Sequence, residues 1–258
     1  MSKSGALFKM SNRNNLENVV LLITYILTLV IVLAIGGVIC ASSVFPALAG
    51  NPETTDADYA FAVQTILLGI MCIGMAVCYS VIFAVPMTKD KANGNIESLL
   101  AASADIKDIW MAKTWSLFLI SFITTIIFVV VSGLLVKVLF IPADQAIVWD
   151  LWYVLTIFVA TPLVYFSECL LINLIGLCFS TDGGTVFAAI FGIGFMVLTI
   201  NIVARKTLDP RNPVLFIVFL VIAVILLIIS FILYGKVDKE KVVLSCKAAG
   251  ATVKKGHK

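Results

Sequence analysis

Six long apolar runs alternate with short polar segments along this chain. The runs cover residues 19–45, 59–85, 115–140, 151–179, 185–203 and 214–234. Each is close to, or longer than, the roughly 20 residues that a helix needs to cross a bilayer, and all are too long for the strands of a soluble core. Backbone groups in lipid must find partners within their own segment, so helices are the expected form. The pattern predicts an all-α, polytopic membrane protein with six transmembrane helices.

The composition agrees with this pattern. Of the 258 residues, 61% are hydrophobic and only 13% are charged, whereas about a quarter of the residues of soluble domains are charged. We therefore treat residues 1–258 as one transmembrane domain. The first run is long and begins well inside the chain, so we expect the first helix to act as its own targeting signal.

The placement of basic residues predicts the orientation. In the six-span model, 14 of the 18 lysine and arginine residues fall on one side. They lie in the N-terminal segment, in the connector at 86–114 and in the tail at 235–258. Short loops rich in lysine and arginine stay in the cytoplasm, which predicts cytoplasmic termini and a cytoplasmic connector, here called the elbow (residues 86–114).

The segment 205–211 is the exception, because it places three basic residues on the outer side. Two interpretations are open, a solvated loop that caps two helices and a site for an anionic ligand. The first is favoured, since charged loop residues are usually solvated.

The sequence lacks the residues that several kinds of chemistry require. Five of the six cysteines lie inside apolar runs, and the one histidine, His257, is next to the C-terminus. The chain shows no Cys/His spacing suited to a metal and no nucleic-acid signature. It also has no G-x-x-x-x-G-K-[ST] loop. We therefore expect no catalytic residue, no metal, no cofactor and no ATPase activity in this chain itself.

The first half of the elbow reads as a short amphipathic helix. Asn93 and Gly94 signal a turn, and Asn95 can cap a helix over residues 96–102. Its apolar side chains recur three and four residues apart, which places them on one face. These are Ile96, Leu99 and Leu100. Such a helix offers Glu97 and its polar neighbours to a cytosolic partner, although amphipathic elbows also serve as plain surface anchors.

The second half of the elbow reads as the start of the third span. Asp105 can cap this helix, and Asp108 adds favourable negative charge to its first turn. The two halves together predict a helical elbow that lies along the cytoplasmic surface.

At these residues the chain resembles the permease subunits of the ABC-2 family of ATP-binding-cassette transporters. The family pattern is a charged turn, Gly-x-[IL]-Glu-x-Leu-Leu, a short break and an [IL]-x-x-x-Lys entry into the third span. The matching segments here are residues 89–91, 94–100, 101–105 and 109–113. The match departs from the family at Ala104, where a proline is common. Six spans with internal termini match the family across the rest of the chain.

The resemblance implies a mechanism. Such permeases pair as homodimers or heterodimers, and each binds a separate cytosolic ATPase subunit, which holds the ATP, through the elbow as a coupling helix. On this basis Glu97, Ser98, Leu99 and Leu100 transmit force and do no chemistry. The alternative for Leu99 and Leu100 is that they only anchor the elbow among lipid headgroups. The family also implies export across the cell membrane, with drugs, lipids, peptides, saccharides and ions all open as substrates.

The fourth run carries a polar stripe. Thr161, Tyr165 and Glu168 follow at helical spacing, and an ionisable group inside a membrane costs several kcal/mol unless it has partners. Pro162 leaves the carbonyl of Phe158 without its usual donor, so a kink is expected. The stripe could line a cavity or a subunit seam; a protonated Glu168 satisfied by a neighbouring helix is slightly favoured. Asn173 and Asn201 are expected to hydrogen-bond between helices.

Two other classes of function stay open. A secondary transporter or channel that acts alone should show an internal repeat or several intramembrane charges, and the sequence shows neither. A multipass membrane enzyme should gather reactive side chains at one depth, and Glu168 is the one such residue.

Overall fold

The computed structural model describes residues 3–17, 19–51, 53–78, 90–91, 94–101, 105–141, 149–178, 181–240 and 242–246. Over these ranges the chain is helical and contains no strand, which confirms the all-α class. We number the helices α1 (Lys3–Glu17), α2 (Val19–Ile39), α3 (Phe45–Ala49), α4 (Asp56–Cys78), α5 (Asn95–Ala101), α6 (Ile106–Phe140), α7 (Leu151–Leu155), α8 (Thr161–Cys178), α9 (Thr181–Ala204) and α10 (Pro213–Tyr234). Two π-helical turns, Cys40–Val44 and Thr156–Ala160, join α2 to α3 and α7 to α8.

Five stretches of helix in the described chain are long and apolar enough to cross a membrane. They are Ile23–Ala49, Asp56–Val77, Ile106–Phe140, Leu151–Cys178 and Pro213–Tyr234. The protein is therefore an all-α polytopic membrane protein. The remaining predicted run, 185–203, lies within α9, a helix of 24 residues.

The first span continues beyond its predicted end. The prediction stopped at residue 45, whereas the helix runs on through the π-helical turn and α3 to Ala49. Pro46 lies in the first turn of α3, directly after the π-helical turn, and has no N–H with which to continue the helical hydrogen bonds of that turn. Residues 79–85, predicted as the end of the second span, lie outside the described residues.

Helix α6 is much longer than a membrane is thick. Its 35 residues span about 52 Å at 1.5 Å per residue, against a hydrocarbon core of about 30 Å. The predicted second half of the elbow is therefore the first turns of this one continuous helix. Asp105 has the extended backbone of a capping residue, but its side chain makes no capping hydrogen bond, so that detail of the prediction is wrong.

Helix α8 forms the centre of the bundle. It packs against α10, α6, α9 and α4, while α4 also packs against α6 and α9. Almost all of its side chains are buried. The outer faces of α2 and α10 carry exposed apolar side chains, as lipid-facing helices do. The N-terminal helix α1 packs along α6.

The helices α2, α4 and α6 meet at Gly74. A Cβ atom added at Gly74 would lie 2.6 Å from Cγ2 of Thr125, so α4 and α6 meet there at a distance that only glycine permits. The hydroxyl of Tyr25 donates to the carbonyl oxygen of Gly74 at 3.2 Å and lies 3.2 Å from Oγ1 of Thr125. Three helices thus share one buried polar contact.

Candidate functional site

The elbow helix begins one residue earlier than predicted. Helix α5 starts at Asn95, and the carbonyl of Gly94 accepts the first helical hydrogen bond, from the amide of Ser98 at 2.9 Å. Gly94 has a φ of 71°, a conformation that glycine adopts without strain. Asn95 is therefore not the cap: its Nδ2 donates instead to Oδ1 of Asp90 at 3.0 Å. The helix is described to Ala101, and residue 102 lies outside the described residues.

The two faces of α5 have different surroundings, as its amphipathic pattern predicts. Ile96 is fully buried, and Leu99 and Leu100 are partly buried against the hydrophobic core. Ser98 is exposed, and Glu97 is half-buried beside it. The apolar face therefore packs on the protein's own core. The polar face, with Glu97 and Ser98, is the part open to another molecule.

Asp90 connects both halves of the elbow. Its carboxylate forms an ion pair with Nζ of Lys113 in α6 and accepts the hydrogen bond from Asn95 in α5. The side chains of Lys113 and Asp90 are 14% and 20% exposed, so water screens this pair less than it screens a surface pair. The charged turn, the short helix and the lysine of the third span, which carry the family resemblance, are thus in direct contact.

Lys91 is buried at the same end of the bundle. It is only 1% exposed, and its Nζ donates to Oγ of Ser245, in the C-terminal tail, at 2.9 Å. Burial lowers the pKa of the Lys91 ammonium below its ordinary value of 10.5.

Trp110 ties α6 to two further helices. It is fully buried, and its Nε1 donates to the carbonyl of Leu170 in α8 at 2.8 Å. Its ring stacks on that of Tyr234, at the end of α10, with centroids 5.1 Å apart. The elbow end of α6 is therefore joined to α8 and α10 through one side chain.

The predicted polar stripe of the fourth span lies inside the bundle. Thr161, Tyr165 and Glu168 are all buried. The disruption expected from Pro162 takes the form of the π-helical turn, and the hydroxyl of Thr161 donates to the carbonyl of Thr156 at 2.8 Å. Such turns often occur at functional positions in helices.

Each member of the stripe has its own environment. The hydroxyl of Tyr165 donates across to the carbonyl of Cys72 in α4 at 2.9 Å. Glu168 is 2% exposed, and its Oε2 is buried without a hydrogen-bond partner among the described residues. The chain buries Glu168 by itself, so covering this carboxyl needs no second copy.

The two asparagines behave differently from each other. Asn173 donates from Nδ2 in α8 to Oγ1 of Thr114 in α6 at 3.1 Å, which confirms the predicted link between helices. Asn201 instead donates to the carbonyl of Val197 in its own helix at 2.9 Å, so its prediction as a link between helices is wrong within the described chain.

The basic segment 205–211 has an ion pair of its own and also contacts α4, where Arg211 donates to the carbonyl of Ala57 at 3.4 Å. Arg211 makes a two-pronged ion pair with Asp209, through Nε at 3.0 and 3.1 Å and through Nη2 at 2.7 Å. Lys206 and Arg211 both lie over the ring of Phe61, at 5.3 and 5.6 Å from its centroid. These contacts favour the interpretation as a loop that caps two helices, because the guanidinium of Arg211 already binds the carboxylate of Asp209.

Three residues of the elbow end were not singled out from the sequence. Lys91 was counted for orientation and as one position of the charged turn 89–91, and Trp110 only as part of the entry into the third span. The sequence pattern provides a weak indication for Ser245. Val242, Ser245 and Cys246 are at positions i, i+3 and i+4, which places them on one face of a helix. Among the described residues, no group of three or more His, Cys, Asp or Glu side chains gathers as metal ligands would.

Comparisons of the chain with family models, with curated proteins and with solved structures find no match. The resemblance to ABC-2 permeases therefore rests on the elbow motif and on the predicted succession of spans alone.

Proposed function

We propose that this chain is the membrane-embedded permease subunit of an ABC transporter of the ABC-2 type. It forms the translocation pathway as a dimer, with a second copy or a homologous permease, and a separate cytosolic ATPase subunit drives it. The elbow and both termini are cytoplasmic in this proposal, and the direction of transport is export.

The observation that carries the proposal is the construction of the elbow. A surface anchor should turn its apolar face toward lipid, whereas Ile96, Leu99 and Leu100 of α5 pack on the core of the protein. The outward face presents Glu97 and Ser98. A helix that is held from behind and polar in front suits docking to a soluble protein.

The contacts behind the elbow supply a route for force. Asp90 links it to α6 through Lys113, and Trp110 links the same end of α6 to α8 and α10. A push on α5 by the ATPase would therefore reach three spans through partly and fully buried contacts. ATP can shift the bundle between two conformations only if the elbow contacts the ATPase differently in each of them.

The test is a pair of charge reversals at opposite ends of the bundle. Glu97→Arg should insert normally but lose ATPase binding, or lose ATP hydrolysis linked to transport. The reason is that it reverses the charge on the face of α5 that is proposed to contact the ATPase. Glu53→Arg, an exposed residue before α4, is the matched control and should behave as the parent. Leu99 is a poorer test position, because a polar group there would also disturb the core.

An equal effect of Glu97→Arg and Glu53→Arg, or none from either, would overturn the role of the elbow. If the purified chain transports with no ATPase present, it acts alone as a secondary transporter or channel, and the proposal fails.

The orientation has its own test. Single cysteines at Ser98 and Asp56, in a background without native cysteines, should react with an impermeant reagent from opposite faces of the membrane. Reaction of both from the outside would contradict a cytoplasmic elbow.

A further inference from the structure

The C-terminal tail returns to the elbow end of the bundle. After α10 the chain turns, and residues 239, 240 and 242–246 are again helical. Val242 and Cys246 are almost fully buried in the hydrophobic core, whereas Leu244 between them is exposed. A free tail would expose all of these side chains, so this segment is packed as part of the fold.

Ser245 is the polar centre of this contact. Its Oγ accepts the hydrogen bond from Lys91 Nζ at 2.9 Å. The same Oγ lies 2.9 Å from the carbonyl of Leu177, at the end of α8, and 2.8 Å from that of Val242. A hydroxyl has one proton to give and two lone pairs to receive, so it can accept from Lys91 while it donates to one of these carbonyls. With Leu177 as the acceptor, this one hydroxyl joins the elbow, α8 and the tail.

Two polar contacts of the tail differ in how much they stabilise its attachment. Lys239 lies 3.9 Å from Asp105, but these side chains are 61% and 76% exposed, and such pairs contribute little. Lys91 and Ser245 are buried, so losing either one removes a hydrogen bond that water does not readily replace, which costs more than losing an exposed pair. The attachment of the tail therefore depends on Lys91, Ser245 and the apolar pair Val242 and Cys246.

We infer that the tail segment 242–246 is a latch that fixes the elbow to α8 through Ser245, so that the elbow, α8 and the tail move as one unit. Lys91 and Ser245 are positioning residues: they hold α5 in place and touch neither substrate nor nucleotide. The latch itself is a property of this chain, whereas its consequence for coupling rests on the proposed function.

The latch predicts a change in the reactivity of one thiol. Cys246 is buried, and burial raises the pKa of its thiol above the ordinary value of 9.0, so it should react slowly with maleimide. In the full-length chain with Cys246 as the one remaining cysteine, Ser245→Ala should speed labelling about tenfold, since losing a buried hydrogen bond favours local opening by about that factor.

Three further variants control this experiment. Lys91→Met removes the other partner and should speed labelling as Ser245→Ala does. Ser245→Thr keeps a hydroxyl and should label nearly as slowly as the parent, and so should Glu240→Ala, which changes an exposed residue of the same tail. Gel filtration and cysteine-free blanks establish that each variant is folded. Equal labelling rates in the parent, Ser245→Ala and Lys91→Met would overturn the latch.

The coupling step is measured separately, with the ATPase subunit present. Ser245→Ala should keep ATPase binding but lower the ATP hydrolysis that accompanies transport, and Ser245→Thr should restore it. Faster labelling with unchanged coupling would overturn the claim that elbow and tail move as one unit. Faster labelling in a chain whose parent binds no ATPase would refute the proposed function and leave the latch standing.

Discussion

The two ends of the bundle treat their charges in opposite ways. At the elbow end, Asp90 pairs with Lys113 and Lys91 binds Ser245, 154 residues away in the sequence. At the other end, Arg211 pairs with Asp209, two residues away, and its hydrogen bond to the distant Ala57 carbonyl is exposed and longer, at 3.4 Å. The side chains of the elbow ion pair are 14% and 20% exposed, and those of the outer pair are 30% and 38% exposed.

The contacts at the elbow end link distant segments, whereas the ion pair in the loop 205–211 shapes that loop. A contact between neighbours in sequence holds one loop in shape, and water screens it. A buried contact between distant segments holds those segments together, because water does not readily replace it. The contacts at the elbow end therefore join distant segments, which the proposed coupling role requires, while those at the other end mainly shape the loop 205–211.

The largest predicted contrast is in stability. Trp110→Ala removes a fully buried ring that contacts α8 and α10, and should cost about 3 to 5 kcal/mol. Arg211→Ala removes a partly exposed pair and should cost about 1 kcal/mol or less. Thermal unfolding in one detergent should show a much lower Tm for Trp110→Ala only. Comparable losses would remove the distinction between the two ends.

Double-mutant cycles sharpen the comparison of the ion pairs. Substituting Asp90 and Lys113 by alanine, singly and together, should give a coupling energy of about 1 to 2 kcal/mol, since the hydrogen bond is charged and partly buried. The cycle for Asp209 and Arg211 should give about 0.5 kcal/mol or less. The free energy of unfolding in denaturant gives both values. An outer pair coupled as strongly as the elbow pair would contradict the account.

The two ends should also respond to opposite extremes of pH. Burial lowers the pKa of Lys91 below its ordinary value of 10.5. As the pH rises, the folded residue therefore releases its proton at a lower pH than the unfolded residue does. The unfolded state then binds more protons in that window, and stability rises with pH there. Relative to Lys91→Met, the Tm of the parent should rise as the pH approaches 10.5. A constant Tm difference would contradict a buried ammonium.

Asp209 gives the opposite case. The hydrogen bond from Arg211 lowers the pKa of this carboxyl below its ordinary value of 3.8. Its contribution is present above pH 3.8 and is lost as the pH falls through the lowered folded value. Relative to Asp209→Asn, the parent should lose Tm only in acid. A loss that begins near neutral pH would refute this assignment.

Glu168, between the two ends, should give the smallest effect. Glu168→Gln keeps the shape and the hydrogen-bonding capacity, so a neutral structural carboxyl should tolerate it with unchanged Tm and transport. Glu168→Leu is the control that removes the polar group, and it should impair the fold or transport. A folded Gln variant that no longer transports would assign the carboxyl to a cationic substrate or a proton.

Much of the fold follows from local pattern. Long apolar runs predict membrane-spanning helices, because backbone groups in lipid must find hydrogen-bond partners within their own segment. The spacing of Ile96, Leu99 and Leu100 identified the buried face of α5. The contacts of Lys91 were not predictable, since its partner lies 154 residues away and lysines near spans normally indicate only orientation. The role of Asn95 was mistaken because Gly94, with its positive φ, could begin the helix instead.

Site-specific photo-crosslinking tests the central claim most directly. A photoreactive residue at Ser98, on the outward face of α5, is compared with one at Thr207, an exposed position in the opposite loop, in cells that also express an ATPase subunit. The account predicts a crosslink to the ATPase from position 98 and none from position 207. A crosslink to the ATPase from position 207, or none from position 98, would contradict the elbow as the coupling element.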